Sequence, residues 1–259
     1  IDKQAAPGDS FAALYELDDY LLDIENKSLT HRPDAFGVIG FAREVAGIKG
    51  LKFSTPEWLS QLDITVQGDS SLAAPAVAIE NPALSDRFQA IVLSNVSEAA
   101  RSPIQLQTYL SRSGVRPINA AVDISNYLML LTGQPTHTYD YDKLKAVAGG
   151  DFTIRVRNAK EGEELVLLDG KTIKLDSSDI VIAIGDTPVG LAGIMGGQST
   201  AVDATTKHVV LEVATFDLYS MRSSQMRHGI FSEAVTRFTK GIPALLGSPV
   251  LGEAVRMLS

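Results

Sequence analysis

From Ile118 to Leu131 the chain is almost wholly apolar. Three of its polar side chains, Asn119, Asp123 and Asn126, recur at i, i+4 and i+7, the spacing of one helix face. A helix apolar on its other sides is expected to be buried, so a polar stripe on it must find partners or line a cavity. Gly133 ends the run, Pro135 lies just beyond, and His137 follows in what reads as an irregular turn. Upstream, Leu17 to Ile24 has strand character. Asp34 is placed to cap a helix from Ala35 to about Ala46 with Phe36, Ile39 and Val45 on its apolar side. Phe88 to Val96 reads as a strand, and Pro103 to Ser113 as a helix with proline in its first turn. Beyond residue 150 the period changes to two. Asp151 to Arg157 alternates, Leu165 to Leu168 and Thr172 to Leu175 flank Asp169-Gly170 as a hairpin, and Ile180 to Ile184 and Lys207 to Val213 are β-branched strands. Asp217 then opens a helix closed by Gly229, and Ser232 begins another that runs to about Lys240.

Helices bracket a block of strands instead of alternating with them. That order predicts an α+β fold, with a mixed or antiparallel strand block preceded by a small α/β segment. Residues 1–50 read as a first unit, 51–76 as a linker (QGDSSLAAP above all), 77–244 as the main domain and 245–259 as the start of a connecting helix. A length of 259 residues with 45% hydrophobic content suffices for one large or two modest domains. The lack of cysteine excludes disulfides and cysteine-bound zinc, and fits a reducing compartment. No apolar run approaches a membrane span, no signal peptide is visible, and no membrane partner is expected. The first residue is Ile and GEAVRMLS breaks off within a helical pattern, so the chain is expected to be a piece of a longer one. A net charge of −8 argues against bulk nucleic-acid binding, which needs clustered cations. Arg222, Arg227, Arg237 and Lys240 could still form a local patch, as could Arg112 and Arg116; scattered solvated charges are the simpler reading.

The candidate chemistry is sparse. The imidazole of His137 can orient a water or take its proton near neutral pH, or it can be a structural histidine. In the strand HVVLEVA, alternation puts His208, Val210, Glu212 and Ala214 on one face and Val209, Leu211 and Val213 on the other. A carboxylate there meets solvent by default, or is buried with a partner. Gly190, Gly193, Gly196 and Gly197 punctuate GLAGIMGG. Such a stretch can bring backbone amides close to a ligand or simply turn between strands. No Lys-Ser/Thr pair follows it, so it is no Walker loop. There is no Gly-x-Ser-x-Gly elbow and no cysteine nucleophile. His137, Asp140 and Asp142 could suggest a metal, but HTYDYD more simply caps a turn, and no metal ligand is assigned.

Four stretches, in order, carry a resemblance: HRPDAFGVIGFAREVAGI from His31, GVRPINAAVDISNYLMLLTGQPTHTYD ending at Asp140, GLAGIMGG followed by LEVATFD, and RHGIFSEAVTRFTKGI from Arg227. Together they resemble the editing domain of the beta subunit of bacterial phenylalanyl-tRNA synthetase, with the segment that precedes it. The resemblance implies a part of a cytoplasmic phenylalanine–tRNA ligase, an αβ heterodimer pair that charges tRNA(Phe) using ATP and Mg2+. Those cofactors belong to the intact enzyme and none to this piece. The piece itself would hydrolyse mischarged Tyr-tRNA(Phe), with the alpha subunit and the tRNA acceptor end as partners. On the matching positions, His137 with Asn126 would position the attacking water, and Glu212 would select tyrosine through its para-hydroxyl. Ala192 and Gly193, with amides available to the ligand, and Pro135 would line the pocket, and Ala234 would be the small residue on its wall. Ser125 and Ser232 stand where the family has Thr; Ser232 also suits a helix N-cap. The chain departs from the family at Val235, where Ser is usual, in FTKG for FEKG, and in GIPA for GIDP. The selection has a physical basis, because a site built to bond a hydroxyl strongly rejects an analogue lacking one. Two other readings stand beside it. One is a non-catalytic scaffold for the alpha subunit and the acceptor end. The other is a free-standing editing or RNA-binding module, which the HRPD block disfavours.

Overall fold

The computed structural model describes residues 5–61, 70–97 and 100–259; residues 62–69 of the expected linker lie outside that range. Residues 5–61 carry the one-turn helix α1 (Phe11–Leu14), α2 (Val38–Lys49) and the one-turn α3 (Glu57–Ser60), the last within the expected linker. Leu17 to Ile24 forms no strand, and Leu21 and Leu22 are exposed. Apolar side chains make a strand only where a neighbour supplies ladder hydrogen bonds, and none of the described strands pairs with it. Asp34 is not a cap either. Its carboxylate takes both Nε and Nη2 of Arg32 at 2.8 Å, within a 3-10 turn from Pro33 to Phe36. α2 therefore starts three residues later than expected, behind Gly37.

The strand block forms two main sheets, as the α+β reading requires. A mixed five-stranded sheet has the order β1 (Ala76–Ile79), β4 (Thr153–Asn158), β7 (Ile180–Ile184), β8 (Thr187–Leu191), β9 (Met195–Gly196). Only β1 and β4 are parallel. An antiparallel three-stranded sheet places β10 (Val209–Ala214) between β2 (Phe88–Leu93) and β3 (Thr136–Asp140). The expected hairpin is present as β5 (Glu164–Val166) and β6 (Thr172–Lys174), with Gly170 at φ 82°, the left-handed turn position.

The alternation read in HVVLEVA sorts the core into two layers. Leu211 and Val213 pack with Ile91 against α4 (Ile104–Arg112), α5 (Ala120–Thr132) and α9 (Gly247–Leu258), through Leu110, Leu128, Val250 and Ala254. On the opposite face Val210, Ala214 and Tyr139 meet the five-stranded sheet through Ile182, Val189 and Leu191. Full burial of each such side chain contributes about 1.5–3 kcal/mol, so the register of β10 is firmly fixed. All six residues of β10 are buried. Three further helices, α6 (Tyr141–Ala148), α7 (Leu218–His228) and α8 (Glu233–Phe238), join the core of the five-stranded sheet through Leu144, Met221, Val235 and Phe238.

The polar stripe on α5 has a structural use. Asn119 caps the helix, accepting from Val122 N at 2.9 Å. Buried Asp123 accepts from Ser102 Oγ at 2.5 Å and Ile118 N at 2.7 Å. The stripe pins the helix entry and does not line a cavity beside His137. The arginines also disperse: Arg237 is buried against Glu233 and the Phe36 carbonyl, and Arg227 is held by Asp179.

Candidate functional site

His137 lies in β3, not in an irregular turn, because THTYD pairs along β10. His137 stands directly opposite Glu212, and Tyr139 opposite Val210. Directly opposed residues share a face with Cβ atoms about 5 Å apart. The strand is anchored at its start. Gln134 Nε2 donates to the carbonyls of Pro135 and Ala214 at 2.9 Å each. Ser125 donates to the Thr136 carbonyl at 3.0 Å and accepts from the Thr136 hydroxyl at 2.7 Å. These bonds fix where the imidazole projects.

It projects into a cavity between the two sheets, about 450 Å³ in volume including its open mouth. Pro135, His137, Ala192, Gly193, Glu212 and Ala234 all line it. Asn126, Ser125 and Ser232 do not. Asn126 is half-buried on α5. Ser232 caps α8, accepting from Val235 N and donating to the Ile194 carbonyl, each at 3.2 Å.

The turn from β8 to β9 forms one wall. Gly193 has φ 63°, and a Cβ there would meet Met221, Phe238 and Phe216 at 2.9–3.0 Å. A side chain there would strain the backbone and displace these three neighbours. The Ala192 amide, expected to be free for a ligand, donates to the Ile180 carbonyl at 3.0 Å. It continues the ladder from β7 and is spent there. A Cβ at Gly196 would lie 2.6 Å from His137 Cε1 and 2.7 Å from Nε2, so this end of the imidazole packs against bare backbone.

Burial dominates the electrostatics. Glu212 is 6% exposed, against the solvent default of its strand position. Desolvation pushes its pKa up to about 7, partly offset by the Tyr139 hydroxyl, which donates to Oε2 at 2.5 Å. The same loss of water lowers His137 to about 4. At neutral pH the cavity therefore holds an uncharged imidazole beside a carboxyl close to its midpoint. Such a pair can accept a hydroxyl hydrogen bond and orient a water; a base this weak is poorly matched to full proton abstraction.

Sequence reasoning passed over Tyr139, Thr136, Met195 and Phe238 as lining residues. Once β3 is a strand, the two-residue spacing of His137 and Tyr139 would have pointed to the tyrosine. Phe238 reads from sequence only as a core aromatic. Asp140 and Asp142 do not join His137. Asp140 caps α6 through Lys143 N at 2.9 Å, and Asp142 meets His208 at 3.0 Å.

Residues 84–259 match the family model of the B3/4 domain. Beta subunits of phenylalanine–tRNA ligase are similar to nearly the whole chain. That of Streptococcus pyogenes is 40% identical over 93% of this chain and 28% of its own length. That of Streptococcus thermophilus is 42% identical over 93% and 29%, and that of Carboxydothermus hydrogenoformans 40% identical over 92% and 28%. The chain thus spans under a third of the length of these curated relatives. A crystallised N-terminal fragment of the phenylalanyl-tRNA synthetase beta-subunit from Pyrococcus horikoshii gives a TM-score of 0.41 at 15% identity, over 77% of this chain and 59% of its own, too loose a likeness for inference.

Proposed function

The chain belongs to the B3/4 domain family, and from that premise we propose that it is the proofreading part of a phenylalanine–tRNA ligase, hydrolysing tyrosine misattached to tRNA(Phe). The observation that supports this most is the cross-strand pairing of His137 with Glu212 on a face of the three-stranded sheet that lines a cavity. Glu212 accepts the para-hydroxyl of the tyrosyl ring. A phenylalanyl ring would leave the carboxyl desolvated and without that bond, which disfavours it. Ala234 keeps the wall low enough for a ring. Neutral His137 holds the attacking water, and Gly193 N–H donates to the substrate carbonyl as negative charge develops on it. Water adds to the ester carbon, the ribose oxygen leaves and takes a proton, and free tyrosine and uncharged tRNA result. Ser125 acts from behind the lining, where it fixes the strand that carries His137.

Within such a ligase the alpha subunit and the tRNA acceptor end are the partners, in the cytoplasm. ATP and Mg2+ serve the charging reaction elsewhere in the complex, and no residue named here is assigned to hold them. Among the described residues no helix is long and apolar enough to cross a membrane.

Tyr-tRNA(Phe) and Phe-tRNA(Phe) offered to the chain and to its His137→Ala and Glu212→Gln variants test this reading. The expected result is preferential release of tyrosine by the parent. Glu212→Gln should lose about 10–100-fold of that preference, the worth of a charge-assisted hydrogen bond. His137→Ala should be slower on both esters. Equal rates in parent and variants would remove the assignments. No release by the parent would favour a scaffold that holds the alpha subunit and the acceptor end.

A further inference from the structure

We propose that Tyr139 is a positioning residue that sets the tyrosine preference of this cavity, by holding Glu212 through its hydroxyl and His137 through its ring. The inference rests on the proofreading reading and adds a residue to it. Tyr139 follows His137 by two along β3, so both project from the same face. Its hydroxyl donates to Glu212 Oε2 at 2.5 Å. Its ring meets the imidazole edge-on, with centroids 4.5 Å apart and planes at 83°. One phenol thus touches both the recognition group and the water-holding group. Tyr139 is itself 2% exposed and packed in the core between the sheets, so it has little freedom to follow a wandering partner.

That geometry divides the carboxyl. Oε2 is committed to Tyr139, and Oε1 is left for a hydroxyl entering the cavity. Without the commitment, Glu212 could turn either oxygen inward or rotate away, and part of the bond to substrate would go to ordering the side chain. The bond also favours the ionised carboxyl, the better acceptor. Burial keeps the Tyr139 hydroxyl protonated well beyond neutral pH, so in this bond it remains the donor.

Tyr139→Phe keeps the ring and removes the hydroxyl, which isolates the contact to Glu212. The kcat/KM ratio for Tyr-tRNA(Phe) over Phe-tRNA(Phe) should be measured in the parent, Tyr139→Phe, Glu212→Gln and the double variant, beside the titration of Glu212 followed by carbon-13 NMR. The expected result is a ratio about tenfold lower in Tyr139→Phe, a Glu212 midpoint moved upward, and no further loss on adding Tyr139→Phe to Glu212→Gln. If Glu212→Gln loses the preference while Tyr139→Phe keeps both the parent ratio and the parent midpoint, Tyr139 is only wall, and this proposal falls while the functional reading stands. If the parent itself shows no preference, or Glu212→Gln matches it, the functional reading falls and takes this role with it.

Discussion

Glu212 and His137 titrate away from their ordinary values in opposite directions because the same cavity removes water from both. The folded carboxyl near 7 lies above the ordinary 4.5. The folded chain therefore keeps a proton that the unfolded chain releases, and this group's contribution to stability falls as pH rises from 4.5 to 7. His137 moves from 6.5 down to about 4, and its contribution falls as pH drops through that interval. The slopes oppose each other between 4.5 and 6.5, so the pair flattens the stability profile there. Function should be more sensitive than stability. The ionised fraction of Glu212 rises through neutrality, so the preference for tyrosyl over phenylalanyl ester is expected to climb between pH 6 and 8 with a midpoint near 7, after subtraction of uncatalysed hydrolysis. The climb should be absent in Glu212→Gln. A flat profile in the parent, or the same climb in the variant, would detach the carboxyl from recognition.

At the scale of elements, short-range signals decide boundaries and partners decide identities. α5 was legible at its end, where Gly133, at φ 85°, donates back to the Met129 carbonyl; at its start Asn119 had read as part of the polar face, and the structure makes it the cap that accepts from Val122 N. Asn119→Ala should lower unfolding free energy by about 1 kcal/mol or somewhat more, since the cap is buried; urea denaturation would measure it, and an unchanged midpoint would show the cap to be idle. The Asp169-Gly170 hairpin and the capped helix α7 were legible for the same reason. β3 was not. Five residues after a helix end carry too little periodicity to announce a strand, and only the ladder with β10 makes them one. Leu17 to Ile24 is the converse, with strand-like residues and no partner among the described strands. The stripe on α5 was read correctly as polar and buried, but its direction, toward Ser102 and the helix entry, depends on what packs beside it.

In the whole molecule the site's turn depends on supports remote from the cavity. Asp179, fully buried beside β7, accepts from Ser224 Oγ at 2.5 Å and meets His228 Nε2 at 2.7 Å, with Arg227 on the same carboxylate. This ties the entry of β7 to the end of α7, and Met221 of α7 packs against Gly193. Despite burial, the Ser224 hydroxyl, the Asp176 amide and His228 hold Asp179 below the ordinary 3.8. Its contribution is therefore present above 3.8 and fades as pH falls below it. Asp179→Ala leaves buried donors without an acceptor and should cost about 3–5 kcal/mol. The expected outcome in a thermal melt is a marked drop in Tm with loss of deacylation. Wild-type stability would mean that solvent replaces the carboxylate.

The sequence alone determined the α+β class, most helix ends, the hairpin, and the two-faced pattern of β10, because caps, turns and alternation are written within a few residues of where they act. Four ordered stretches, from HRPD to TKGI, also carried the kinship to the beta subunit. Only the tertiary structure decided that residues 137 and 212 stand opposite each other and that the glycine turn closes over them. It alone decided that the Ala192 amide is spent in the ladder and that Tyr139 joins both groups. Those relations depend on strand register and on the removal of water between two sheets, and neither exists in any local stretch of the chain.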